Sequence, residues 1–259
     1  MPRDHRRVLI TGAGSGIGRA LAIEASRRGM SVALCGRRAE ALEETLGLLV
    51  PAPGHIAIAA DVTAGADRRR ILDDLMEEWG ALDILVNNAG VLEGGALERM
   101  DDEALARIFE TNAIAPIALA REMLALLQAG RAARIVNIGS IFGDIPYPLL
   151  AAYSASKFAL RGFSGAIRRE WKPKGIGVTY VAPRATRTAA LTSLGGFMAT
   201  AGMRVDTPER VARYVWDSIE RGADAVYAPG PERLFVLLQR IFPGLLDRAL
   251  ARPAKPVAG

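Results

Sequence analysis

Lysine is nearly missing from this 259-residue chain: four lysines stand against 29 arginines, and Lys157 is the only one before position 172. Cysteine occurs once, as Cys35, which excludes an intramolecular disulfide or a cysteine-ligated metal centre and suits a reducing compartment. Its apolar neighbours place it on a buried strand. The two histidines, His5 and His55, are too few and too scattered for a metal site or a serine-type triad, so no metal is expected. No apolar run approaches the ~18 residues of a spanning helix. Behind the basic start, only Val8, Leu9 and Ile10 precede the first glycines, too short for a signal-peptide core. A cytoplasmic location is therefore expected. The net charge of +5 permits anionic partners, but the arginines are dispersed, so no nucleic acid is expected. Most read as solvated faces, with a few recruited for an anionic cofactor.

What the chain does hold is alternation. Strands are expected over 7–11, 31–35, 55–60, 82–86, 133–139 and 177–182. Helical patterns lie between them, over 19–28, 39–49, 64–79, 101–128 and 149–172. That spacing indicates an α/β fold, a Rossmann-type doubly wound parallel sheet in a single domain over 1–259. The core is expected over 5–230, with an apolar helical extension and tail over 231–259.

The first strand runs into Gly12-Ala-Gly-Ser-Gly-Ile-Gly18 and then a helix, the context of a phosphate-binding turn. The strict G-x-G-x-x-G spacing is absent, because position 17 is isoleucine. The second strand ends in Gly36-Arg37-Arg38, where NAD-binding proteins place an acid for the ribose hydroxyls. A carboxylate there would repel a 2′-phosphate, whereas a guanidinium binds it by charge-assisted hydrogen bonds. The cofactor expected is NADP(H), with Arg37 the main contact. Asp61-Val62 ends strand three, placed for an adenine edge. Asn87-Asn88-Ala89-Gly90 ends strand four, where amides and small residues suit a cofactor crevice. Within 101–128, Pro116 bends the helix and Asn112 lies one turn before it. Ser140 ends strand five. Tyr153 and Lys157, four apart in a helix, share one face. A compact ammonium can approach a phenol and a ribose hydroxyl together, and it favours the phenolate.

Together these motifs resemble the short-chain dehydrogenase/reductase family over roughly 5–230. The matches are Thr11 to Gly18, Asp61, Asn87 to Gly90, Asn112, Ser140, Tyr153-Ser-Ala-Ser-Lys157 and Pro183 through Thr188. The resemblance implies a catalytic tetrad. Tyr153 would be the acid in reduction and the base in oxidation, and Ser140 would bond the substrate oxygen. Lys157 would lower the tyrosine pKa and hold the nicotinamide ribose, and Asn112 would anchor a relay water. The candidate cofactor-binding residues are Gly12, Ser15, Gly16, Ile17, Gly18, Arg37, Arg38, Asp61, Val62, Asn88, Ala89, Gly90, Tyr153, Lys157, Pro183, Thr186 and Thr188.

One departure from the family stands out: Arg184 replaces the glycine usual after Pro183. It could reach a substrate carboxylate, thioester or phosphate, or swing out to solvent. The small, apolar stretch 189–206 reads as a substrate lid. The apolar segment 234–246 could cover the cleft, pack a subunit contact or lie on a membrane surface as a peripheral contact. The expected function is an NADP(H)-dependent oxidoreductase interconverting a carbonyl and a secondary alcohol, chiefly a reductase of a lipophilic ketone. The alternatives are a 3-oxoacyl thioester reductase working on an acidic carrier protein and a non-catalytic NADP-binding regulator. By family analogy a homodimer or homotetramer is expected.

Overall fold

The strands are apolar at successive positions, as strands covered on both faces must be. In the computed structural model, which describes residues 5–192 and 204–250, seven parallel strands form one sheet in the order β3-β2-β1-β4-β5-β6-β7. They are β1 (Arg7–Thr11), β2 (Ser31–Gly36), β3 (Ile56–Ala59), β4 (Ile84–Asn87), β5 (Arg134–Ile138), β6 (Gly177–Ala182) and β7 (Ala225–Tyr227). Successive side chains point to opposite faces. Val8 and Ile10 enter one core with Val32, Leu34, Ile84 and Val86, and Leu9, Ala33, Cys35 and Leu85 enter the other.

The first core is closed by α1 (Gly16–Arg27), α2 (Ala39–Leu46) and a helix over Pro208–Glu220. The fully buried Trp216 donates its indole N–H to the Leu21 carbonyl at 3.0 Å, fixing that last helix on α1. Thr207 caps it by accepting from the Arg210 N–H, and Pro208 occupies its first turn, where a missing N–H costs nothing. The second core is closed by α3 (Gly65–Glu78), by the 101–129 region and by a long helix over Ala151–Glu170.

The region expected as one bent helix is broken more finely. It comprises α4 (Asp102–Phe109), a wide π turn over Glu110–Ile114, α5 (Ala115–Glu122) and α6 (Leu124–Ala129). Pro116 brings no N–H to the carbonyl four residues back, that of Asn112, so the regular ladder is interrupted there. The long helix, α7, spans Ala151–Glu170, and the short α8 (Ala189–Thr192) follows β6. Numbering in order, Pro208–Glu220 is α9. The chain then forms α10 (Glu232–Ile241) and α11 (Pro243–Leu250). No helix among the described residues is long and apolar enough to cross a membrane. The expected lid over 189–206 falls largely on residues 193–203, outside the described residues.

Strand order reverses between β1 and β4, and the loops leaving their C-terminal ends open a crevice at this switch point.

Candidate active site and cofactor cleft

The glycine turn after β1 is shaped by close approach. Gly12 and Gly16 hold φ of +65° and +54°, which favour glycine, and a Cβ on Gly18 would collide with the Gly12 carbonyl and the Asn88 amide. The loop is held from two sides. Thr11 Oγ1 accepts from the Asn88 and Ala89 N–H groups, each at 3.0 Å, while Asn88 Nδ2 donates to the Thr11 carbonyl at 2.8 Å. From behind, Arg19 Nη2 donates to the Gly14 carbonyl at 2.7 Å, and Thr45 Oγ1 donates to the Ala13 carbonyl at 3.1 Å. Arg19 and Thr45 carry no motif, so the sequence does not single them out.

This turn forms one end of a cleft of about 760 Å³. Except for Gly18, which packs beneath the loop, every candidate cofactor residue lines it: Gly12, Ser15, Gly16, Ile17, Arg37, Arg38, Asp61, Val62, Asn88, Ala89, Gly90, Tyr153, Lys157, Pro183, Thr186 and Thr188. The Arg37 and Arg38 guanidinium groups are exposed at its rim and form no ion pair among the described residues. Narrow glycine turn, helix N-terminus and free guanidinium groups along one cleft fit an elongated molecule bearing phosphates.

The other end of the cleft holds the polar cluster. The loop after β5 places Ser140 at the cap of a short turn, its Oγ accepting from the Phe142 N–H at 3.2 Å. α7 presents Tyr153 and Lys157 on one face, with Nζ 5.8 Å from the phenol ring centre. Lys157 Nζ donates to the Ile138 carbonyl at 3.1 Å. Burial governs both titrations. It pushes the Tyr153 phenol up to about 12, against a hydrogen bond with Ser140 that favours the phenolate, and pushes the Lys157 ammonium down to about 8.

Asn112 is wholly buried in the π turn, and its amide is fully committed. Oδ1 accepts from the Val91 N–H at 2.8 Å, and Nδ2 donates to the Val91 carbonyl at 2.9 Å and to Ser156 Oγ at 3.1 Å. Its side chain thus pins the cleft wall to α7. A second buried chain runs behind the site, with Asn87 Nδ2 donating to Asn137 Oδ1 and Asn137 Nδ2 to Ser164 Oγ, both at 2.8 Å. It ties β4, β5 and α7 together, and of its three members only Asn87 belongs to a recognisable motif.

Arg184 lines the cleft wall, and its guanidinium is taken up inside the fold instead of swinging out to solvent. It is 7% exposed and forks onto Asp206, with Nε to Oδ2 at 2.8 Å and Nη2 to Oδ1 at 3.0 Å. Its Nη1 donates to Glu232 Oε1 at 2.8 Å. Beside this clasp the backbone closes as well: the Arg187 N–H donates to the Asp206 carbonyl and the Asp206 N–H to the Ala185 carbonyl, both at 2.9 Å. A cation in an apolar setting is held where two carboxylates face it, and here they come from residues 22 and 48 positions away.

Tyr180 on β6 was not anticipated either. Its buried hydroxyl donates to the Ser140 carbonyl at 3.1 Å and accepts from the Ser140 N–H at 3.4 Å. Its ring fills the space that a Cβ on Gly139 would occupy, and its hydroxyl that of a Cβ on Gly143. Tyr180→Phe is expected to leave the buried Ser140 N–H unpaired and its carbonyl held by the Gly143 N–H alone, at a cost of about 1–3 kcal/mol. Steady-state kinetics should then show kcat reduced by about ten-fold with KM little changed, because the serine loses its seat and the cleft keeps its shape.

Residues 6–197 match the model of the short chain dehydrogenase family. The chain belongs to that family. It is 32% identical over 263 residues to a Bos taurus protein named dehydrogenase/reductase SDR family member 7B, a match covering 96% of this chain and 81% of the relative. It is 38% identical over 183 residues to the Escherichia coli 3-oxoacyl-[acyl-carrier-protein] reductase FabG, covering 70% and 73%. Among solved structures, a short-chain dehydrogenase from Streptomyces avermitilis superposes with a TM-score of 0.81 at 29% identity, covering 97% of this chain and 95% of that one. A 3-ketoacyl-(acyl-carrier-protein) reductase from Brucella melitensis, complexed with NADH, gives 0.79 at 26% identity, covering 86% and 96%. Membership in the short-chain dehydrogenase family makes this an oxidoreductase using a nicotinamide dinucleotide.

Proposed function

We propose that this short-chain dehydrogenase is an NADP(H)-dependent reductase of lipophilic ketones, also able to run the reverse oxidation of a secondary alcohol. The observation that carries the reading is Ser140, Tyr153 and Lys157 gathered against an apolar wall. Tyr153 packs in a cluster with Ile141, Phe142, Leu150, Ala185 and Val236, with Leu92 and Leu191 alongside. When bound, the nicotinamide supplies the hydride in reduction and accepts it in oxidation. The chain's own residues handle the oxygen and the proton. Ser140 Oγ hydrogen-bonds the carbonyl oxygen as negative charge grows there, and Tyr153 delivers the proton to it. Lys157, as the ammonium, favours the phenolate left behind and holds the ribose. Asn112 keeps the wall in place through its side chain, and its backbone carbonyl, to which Pro116 returns no N–H, is the group suited to hold a relay water.

Cofactor choice rests on Arg37 and Arg38, whose guanidinium groups are exposed, form no ion pair among the described residues and follow the second strand where NAD-specific sites carry an acid. Arg37→Asp is expected to weaken NADPH binding by about ten- to hundred-fold and to improve NADH binding, since a charge-assisted hydrogen bond is replaced by repulsion. Fluorescence titration of both cofactors against wild type and variant reads this directly. Unchanged NADPH affinity would remove the 2′-phosphate from this corner.

The 38% identity with the Escherichia coli acyl-carrier-protein reductase favours a second reading, reduction of 3-oxoacyl thioesters on an acidic carrier. The two readings separate on a panel of diones, long-chain and polycyclic ketones, free thioesters and carrier-bound thioesters, following NADPH consumption. Carrier-bound turnover that falls steeply with salt supports the second reading. Turnover of free lipophilic ketones that is insensitive to salt supports the first.

A further inference from the structure

The two C-terminal helices are amphipathic, yet α10 is mounted the wrong way round for a core helix. Glu232, Val236 and Arg240 recur at i, i+4 and i+8 and so share one face, and that face looks inward. Glu232 binds Arg184, Val236 is 4% exposed against the Tyr153 cluster, and Arg240 donates to Asp144 at 2.9 Å and to the Tyr227 hydroxyl at 2.9 Å. Asp144 is itself buried and also faces Arg161 at 3.1 Å. Leu234, Leu237 and Ile241, at i, i+3 and i+7, form the other stripe and stand 65%, 52% and 56% exposed. Phe242 and Leu245 extend the stripe onto α11 at 56% and 52%. Rotating α10 to bury its apolar side would break ion pairs at both ends, so the helix is pinned with that stripe outward.

We propose that this stripe docks on the surface of an anionic lipid bilayer. Beside it stand Arg233 and Arg248 against Asp247, Glu232 and Arg240 both being paired within the fold, and the sequence that follows adds Arg252 and Lys255 with no further acid. Apolar side chains flanked by arginines suit the boundary between acyl chains and acidic headgroups. A second copy suits it less, because a two-fold contact through the same patch sets each copy's arginines against the other's. The inner side of α10 adjoins the Tyr153 wall, so docking would set the substrate end of the cleft beside the bilayer. The surface itself does not depend on which ketone is turned over.

The test is co-sedimentation of the purified full chain with phosphatidylcholine vesicles, with and without phosphatidylglycerol, alongside the solution mass by analytical ultracentrifugation. Wild type is expected to bind the anionic vesicles at least ten-fold more tightly than the neutral ones. Leu234→Gln/Leu237→Gln/Ile241→Gln should lose that binding while keeping its melting temperature and solution mass. Arg233→Glu/Arg248→Glu, which keeps the apolar stripe, should lose the preference for anionic lipid. No binding to anionic vesicles, equal binding to both compositions, or a drop in solution mass in the glutamine variant would overturn the proposal, the last by giving the stripe to a second copy.

Discussion

Tyr153→Phe is expected to lower kcat for ketone reduction by about 10²–10⁴-fold, the range that a positioned general acid contributes. The substitution removes one oxygen and leaves the ring, which packs with Ile141, Phe142 and Leu150. NADPH affinity, read by fluorescence titration, should therefore change little. Activity within ten-fold of wild type would move the proton donor elsewhere. The pH dependence follows from burial. With its phenol pushed up to about 12, Tyr153 carries its proton throughout the neutral range and stands as an acid, which favours reduction. Lys157, pushed down to about 8, is cationic below that pH and neutral above it. The proton transfer leaves a phenolate that only the ammonium form stabilises. Reduction should therefore be level on the acid side and fall as pH rises through about 8. Oxidation needs the phenolate to take up a proton, so its rate should rise with pH over the same interval. A reduction rate that climbed through pH 8 would mean that the neutral amine is the working form.

What the sequence makes legible here is local. The strand, glycine turn and helix lie within 30 residues, and Tyr153 and Lys157 within one helical turn, so their juxtaposition follows from helix and strand periods alone. The parallel sheet follows from alternation in the same way. Legibility ends where a partner lies far along the chain. Asp206 and Glu232 are ordinary acids until the fold brings them to Arg184, so Arg184 alone suggests a substrate ligand or a solvated charge. Tyr180 reads as one more residue of a buried strand, because nothing local marks its 40-residue reach to Ser140. Period can also mislead about direction. The apolar stripe of α10 is plain in the sequence, but only its pinned charges show that the stripe faces outward. α9 is different, since Thr207 followed by Pro208 carries an ordinary helix-start signal that the expected elements pass over.

Arg184→Met is expected to destabilise the protein by about 3–5 kcal/mol, the usual consequence of removing one partner from a buried ion pair. In a chain of this size that corresponds to a fall in melting temperature of about 10 °C. The cause is the carboxylates left behind. Asp206 is 3% exposed and, among the described residues, would be left facing the more distant Arg210 at 3.5 Å. Glu232 already has one buried oxygen without a hydrogen bond, and would lose the partner of the other. Removing the acid together with the base should therefore restore stability. Arg184→Met/Asp206→Leu is expected to melt several degrees above Arg184→Met, and a double variant no better than the single one would show that shape, not charge, makes the clasp. The clasp also bears on the site, because Arg184, Ala185, Thr186 and Thr188 line the cleft and the Asp206 backbone pairs with Ala185 and Arg187 on either side of Thr186. Loosening that corner should raise KM for NADPH more than it lowers kcat, whereas Tyr153→Phe does the opposite. Steady-state kinetics on the two variants thus separates a residue that shapes the cofactor cleft from one that moves the proton.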